Sequence, residues 1–281
     1  MNDDTNSGNA AVLEEANPFT ERAAVEAAAK PKKASILSQI TTRKRRRPVF
    51  GILYGPPGIG KSTFAAQAPD PIFIQCERGL DQITIDRFPQ PKTLADYKLQ
   101  IQALVNEEHD YKTIVIDTLD GLELLIWDEV CRIGKCDSIE SYGGGWAKGY
   151  VKAREIWTKI MERLVDMSEK YNVLLVAHAH VKSFSDPTLS APYDQWKIRL
   201  NDKSSEILFQ MVDLVLFANV AKTIDKDNAR SRKGRAIIGE DREMWTQPST
   251  GIEAKNRFGL PNPMPFEWET LQTAINAFYD K

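Results

Sequence analysis

The stretch Val49–Phe64, VFGILYGPPGIGKSTF, decides the fold. Its first part is apolar (Val49, Phe50, Ile52, Leu53, Tyr54) and reads as a buried strand. The run ends at Gly55 and opens Gly55-Pro56-Pro57-Gly58-Ile59-Gly60-Lys61-Ser62, which has the form G-x-x-x-x-G-K-S. In such a loop the glycines let backbone N–H groups turn inward around a phosphate, and the helix that follows points its positive end at the same anion. Lys61 is placed to reach the β- and γ-phosphates, and the Ser62 hydroxyl to reach Mg²⁺. The pattern also recurs by chance as a glycine-rich turn. Here it closes a strand and opens a helix, which is the context of a nucleotide site. The expected binding segment runs from Gly55 through Thr63.

Further strands end in chemistry. Pro71–Cys76 is apolar and closes on Glu77; Thr113–Ile116 is apolar and closes on Asp117; Val173–Ala177 closes on His178-Ala179-His180. Carboxyl ends of strands form the ligand-binding edge of an open α/β sheet. Glu77 is thus a candidate base that positions water for attack on a γ-phosphate, or else an ordinary strand-end acid. Asp117 is the candidate partner of Ser62 in holding Mg²⁺. A polar group at the third strand end can sense the γ-phosphate, with His178 the first choice and His180 the second. The two histidines share a strand face, but no acid or thiol stands close enough in sequence to complete a metal site.

The formal net charge of −2 rules out global basicity, so any nucleic-acid site has to be a local patch. The glycine-rich segment Gly134–Gly149 carries Trp146 and Lys148 and leads into Tyr150, a set suited to base stacking and phosphate contact. A flexible loop whose aromatics tuck against the core has the same look. A long irregular loop over Ser183–Ile198, flanked by Lys182 and Arg199 and containing Lys197, lies beside the nucleotide site, and such a loop is usually functional or disordered. The run Arg43–Arg47 fits a solvated domain edge or phosphate contacts. Residues 1–34, poor in large apolar groups, are expected to form a disordered arm. Cys76, Cys131 and Cys136 are too few for a disulfide framework, which fits a reducing, cytoplasmic setting. No run approaches membrane-spanning length, and the first residues do not resemble a signal peptide.

Helices are expected over Lys61–Gln67, Thr93–Glu108, Leu119–Ile133, Tyr150–Tyr171, Asp202–Gln210 and Thr270–Tyr279. Asp213–Asn219 reads as a further strand, Ala221–Gly234 as a basic connection, and Arg235–Gly239 and Glu243–Gln247 as an antiparallel meander at the sheet edge.

These pieces, in this order, resemble the RecA-type ATPase core. Ile74-Gln75-Cys76-Glu77-Arg78-Gly79-Leu80-Asp81 is similar to the RecA segment that bears the catalytic glutamate. Ala254-Lys255-Asn256-Arg257-Phe258-Gly259 is similar to the late strand whose two cations reach the nucleotide of the neighbouring subunit. The wording of the phosphate loop, with the Tyr142–Tyr150 segment, looks closest to short RecA-like proteins encoded by phages, a group associated with ATP-dependent single-strand annealing and recombination. The resemblance covers about Pro48–Glu269. Where RecA has Asn-Gln at its sensor, this chain has His178-Ala179-His180.

The resemblance implies an α/β domain over residues 35–281, a RecA-like P-loop NTPase core. Its mostly parallel sheet would be flanked by helices, with the sensor strand between the phosphate-loop strand and the Asp117 strand, and antiparallel strands added at the C-terminal end. It implies ATP and Mg²⁺ as cofactors and an ATPase stimulated by DNA. Lys61, Glu77 and His178 would act within the subunit, and Lys255 and Arg257 in trans within a homo-oligomeric ring or filament. The two loop segments match, by place, the family's two DNA-binding loops, giving Trp146, Lys148, Tyr150, Lys182, Lys197 and Arg199 as candidate contacts to single-stranded DNA. A single-strand-binding protein is a candidate partner, no membrane is involved, and the expected location is the host cytoplasm. The alternative is an ATP-switched protein-binding module, such as a helicase loader or replication accessory ATPase.

Overall fold

A computed structural model describes residues 36–42, 44–225 and 235–280. The chain divides into two units. Residues 1–44 form one, whose described part holds the 3-10 turn Ile36–Gln39; Arg45–Lys281 form the other. The arm expected at residues 1–34 lies outside the described residues.

The second unit is a twisted sheet with helices on both faces. Its strands are β1 (Phe50–Gly55), β2 (Pro71–Gln75), β3 (Asp86–Arg87), β4 (Thr113–Asp117), β5 (Asn172–Phe184), β6 (Tyr193–Ile198), β7 (Leu214–Asp225), β8 (Arg235–Trp245), β9 (Lys255–Asn256) and β10 (Met264–Pro265). Its helices are α1 (Lys61–Ala65), α2 (Leu94–Asn106), α3 (Leu119–Gly134), α4 (Lys148–Ser168), α5 (Asp202–Met211) and α6 (Trp268–Tyr279). The strand order is β10-β8-β7-β1-β5-β4-β2-β3, parallel from β7 to β3 and antiparallel from β7 to β10. β5, the strand read as bearing the sensor, lies between β1 and β4, as the resemblance implies.

The parallel strands are continuous apolar runs because both of their faces are covered. Alternation along each strand sorts the side chains. Ile52, Tyr54, Ile74, Ile114, Ile116, Val173 and Leu175 pack against α2, α3 and α4, where Tyr97, Leu122, Trp157 and Leu164 are buried. Leu53, Phe73, Val115, Leu174 and Val176 pack on the opposite face against Phe64 of α1 and Trp268, Leu271 and Ile275 of α6.

Three expectations need correction. Ser183–Ile198 is not an irregular loop: β5 runs on to Phe184 and pairs antiparallel with β6, from Ala179↔Ile198 to Phe184↔Tyr193. The two short strands of the expected meander are one strand, β8, which pairs with an extended β7 across an irregularity at Val220/Lys222; residues 226–234 of the connection lie outside the described residues. The segment before α4 contains a 3-10 turn, Ile139–Gly144, and the helix begins at Lys148 rather than Tyr150. Gly149 permits this, since a Cβ there would lie 2.0 Å from the Ile139 carbonyl oxygen.

Candidate nucleotide site

The site lies at the carboxyl ends of β1, β2, β4 and β5. The register aligns Gly55 with His178 and Gln75 with Asp117, so the strand-end residues converge on one edge. Between β1 and α1 the loop adopts positive φ at Gly58 (76°) and Gly60 (98°), a region that favours glycine.

Lys61 is buried beneath the loop. Its ammonium lies 3.1 Å from the Gly55 carbonyl oxygen, 3.1 Å from that of Pro56 and 3.4 Å from Nδ1 of His178. Burial lowers its pKa, and the nearby carboxylates of Asp117, Asp120 and Glu77 oppose that shift. Ser62 Oγ donates to Asp117 Oδ2 at 2.6 Å. Asp117 is buried at the end of β4, and burial raises its pKa against the pull of the Ser62 hydrogen bond.

Glu77 follows β2, and its Oε1 lies 2.8 Å from Nε2 of His178. Burial pushes the Glu77 carboxyl up, but the hydrogen bond and charge of His178, the Thr118 hydroxyl and Lys61 together hold it below its ordinary value. The His178 backbone is clasped on both sides: its N–H donates to Asp120 Oδ2 at 2.9 Å, and its carbonyl accepts from Arg199 N at 2.8 Å. Asp120 and Glu123, both raised in pKa by burial, hold the returning chain to α3. Glu123 accepts from Asn201 N at 3.1 and 3.2 Å. The sequence reading missed these two acids. Their signal is two acids three apart on an otherwise apolar helix face.

Oxygen donors, a hydroxyl and a carboxylate, are what Mg²⁺ takes when it binds mainly through substrate phosphates. Ser62 and Asp117 provide that pair within hydrogen-bond distance, with the Lys61 ammonium close by. The residues therefore fit Mg²⁺ with a nucleoside triphosphate. When bound, the ion supplies charge neutralisation at the phosphates. Among the described residues no cluster of three or more His, Cys, Asp or Glu side chains forms an all-protein metal cage.

His180, the second-choice sensor, lies beyond this cluster on β5, and its Nδ1 is buried without a hydrogen-bond partner. Lys255 and Arg257 sit at the other end of the sheet: Asn256 pairs with Leu214, which pairs with Gly51 at the start of β1. The Lys255 ammonium is turned inward onto the Phe209 carbonyl, in the last turn of α5 where carbonyls lack intrahelical partners. Its ammonium is therefore held by a carbonyl of its own chain in this arrangement. Arg257 is half-exposed and pairs with Asp213 at 2.8 Å.

The candidate DNA contacts divide. Trp146 is 92% exposed. Tyr150 is not a free stacking ring: it packs edge-on against Trp127 at 5.6 Å and donates to Glu140 at 2.6 Å. Lys148 donates to the Gly143 carbonyl at 3.0 Å. On the β5–β6 hairpin, Lys182 pairs with Asp202 at 2.7 Å and Lys197 with Glu253 at 2.8 Å. Arg199 is exposed and lies 3.8 Å from Asp120 at the mouth of the site. The basic run is partly neutralised too, Arg45 pairing with Glu169 at 2.6 Å.

Residues 47–258 match the family profile described as AAA domain, so most of the chain is covered. The chain belongs to that family and is a P-loop ATPase by class. It is similar to the SPbeta prophage-derived uncharacterized protein YorG of Bacillus subtilis (strain 168), at 25% identity over 131 residues. That alignment covers 45% of this chain and 40% of the relative, so the chain spans well under half of YorG's length. Among the described residues no helix is long and apolar enough to cross a membrane.

Proposed function

We propose that the protein is a RecA-like ATPase that binds single-stranded DNA and promotes annealing or strand exchange in phage-type recombination. The observation that carries this reading is the continuity of β5. His178 touches both Lys61 and Glu77, and the same strand runs on through Lys182 to the hairpin. A change of contacts at the γ-phosphate position thus has a direct covalent path to the candidate DNA surface. Glu77 is the residue for orienting water, Lys61 for the β- and γ-phosphates, and Ser62 and Asp117 for Mg²⁺. Arg257 at the far end of the sheet reaches a nucleotide only if that nucleotide belongs to a neighbouring subunit.

One observation favours a second reading. The hairpin cations Lys182 and Lys197 are already paired with acids of the same chain. A surface of balanced charge suits a protein partner, as in an ATP-switched loader or replication accessory module.

The deciding experiment is ATP hydrolysis measured with and without single-stranded DNA over a range of protein concentrations, with Lys61→Ala as the blank. Stimulation by DNA with a steep concentration dependence supports the first reading. A rate indifferent to DNA and raised by a replication protein moves the assignment to the second.

A further inference from the structure

A cation that the sequence does not advertise lies over the phosphate loop. Arg242 is on β8, opposite Val220 of β7, and its side chain is exposed. A methyl group built on Gly60 would lie 2.6 Å from Arg242 Nη1 and 3.8 Å from a ring carbon of Phe266. The guanidinium therefore rests against the glycine that immediately precedes Lys61.

Its placement is built rather than incidental. The Arg242 carbonyl accepts from Phe266 N at 3.2 Å, and the Phe266 ring stacks on Phe64 of α1 at 4.7 Å with 14° between the planes. The strand that carries Arg242 is thereby fastened to the helix that follows the loop. Arg47, Arg87, Arg132 and Arg257 each pair with a carboxylate. No acidic side chain among the described residues pairs with Arg242. A guanidinium with no acidic partner among the described residues, whose planar fork suits phosphate oxygens, is thus parked over a loop whose pattern cradles phosphate.

We propose that Arg242 binds the phosphate chain of the nucleotide held by its own subunit. It would be an in-cis cation that complements Lys61 from the opposite side of the loop. The proposal rests on the ATP reading and adds to it a residue of nucleotide affinity drawn from the antiparallel strands.

The test is calorimetric titration of the full chain with ATP, ADP and adenosine in the presence of Mg²⁺, comparing wild type, Lys61→Ala, Arg242→Ala, Arg242→Gln and Arg242→Lys. A hydrogen-bonded charge is worth roughly a ten- to hundredfold change in affinity. Arg242→Ala and Arg242→Gln are expected to lose that much for ATP and ADP and little for adenosine, with Arg242→Lys recovering part. Arg242→Gln keeps most of the stem, so it covers the case in which the alanine variant fails to fold. ATP affinity unchanged in Arg242→Gln while Lys61→Ala loses it would overturn the proposal and leave the ATP reading intact. An equal loss for adenosine would also overturn it, since the contact would then serve the base or the packing. Failure of wild type to bind ATP would remove the ATP reading itself, and the proposal with it.

Discussion

Glu77 Oε1 and His178 Nε2 lie 2.8 Å apart although β2 and β5 are not neighbours in the sheet; the pair reaches across the end of β4. On its other side the same imidazole faces Lys61 Nζ at 3.4 Å. In the imidazolium the Glu77 contact is an ion pair and Nδ1 cannot accept; in the neutral ring Nε2–H donates to Glu77 and Nδ1 accepts from Lys61. The ammonium then has an acceptor for each of its three protons, the other two being the Gly55 and Pro56 carbonyls. An arriving phosphate has to displace one of them, and the long contact to His178 is the weakest.

Glu77→Gln should lower kcat for ATP by about 10²–10⁴-fold while leaving nucleotide affinity nearly unchanged. The Glu77 carboxyl is held below its ordinary value of 4.5. A depressed acid stays ionised through neutral pH, and what its charge supplies is lost only as pH falls through the lowered value. A kcat–pH profile should therefore show no Glu77 limb above about pH 4.5. A wild-type limb near pH 6 that disappears in Glu77→Gln would contradict this.

Asp117→Asn should abolish hydrolysis and raise the melting temperature of the nucleotide-free protein. Burial lifts the Asp117 pKa in the folded state. An acid so shifted costs stability above that pKa, and the cost fades as pH falls through it. Removing the charge at pH 7 should give on the order of 1 kcal/mol, or about 2–4 °C. Scanning calorimetry with the metal chelated checks it; a lower melting temperature would show that the hydrogen bond to Ser62 outweighs burial.

If Arg257 acts in trans, Lys61→Ala and Arg257→Ala should each be inactive alone and partly active when mixed. The mixture contains interfaces that combine an intact Lys61 with an intact Arg257. A trans arginine is worth about 10³–10⁵ in rate, so even a fraction of good interfaces is measurable. Lys255→Ala should chiefly lower thermal stability, since its ammonium serves the end of α5. No recovery on mixing would remove the trans assignment.

Trp146→Ala should weaken single-stranded DNA binding by roughly 1–3 kcal/mol with little change in melting temperature. Tyr150→Ala should do the reverse, because that ring is committed to Trp127 and Glu140. Fluorescence anisotropy with a labelled oligonucleotide, beside thermal melts, separates the two. Equal DNA affinity in wild type and Trp146→Ala would take the segment out of the DNA surface.

The order of the strands came with the resemblance to the RecA-type core; the strand-end positions of Glu77, Asp117 and His178 were legible because buried parallel strands write themselves as apolar runs that end in chemistry. Period and punctuation suffice for that. The β5–β6 hairpin was not legible: its outer residues are polar and charged, and pairing between distant partners such as Lys182 and Gln195 leaves no local pattern. Arg242 was hidden for a related reason. Nothing near position 242 speaks of phosphate; only the folding of β8 back along β7 carries its guanidinium to Gly60.

β5 passes through two environments. From Val173 to Ala177 it is fully enclosed between β1 and β4, and from Val181 to Phe184 it stands exposed beside β6. At about 3.3 Å per residue, the six steps from His178 to Phe184 span roughly 20 Å. The gripped half acts as a clamp and the free half as a pointer, with His178 at the fulcrum. A tilt of a few degrees where a histidine loses its lysine would become a displacement of an ångström or more at the hairpin tip, with no rearrangement of the core.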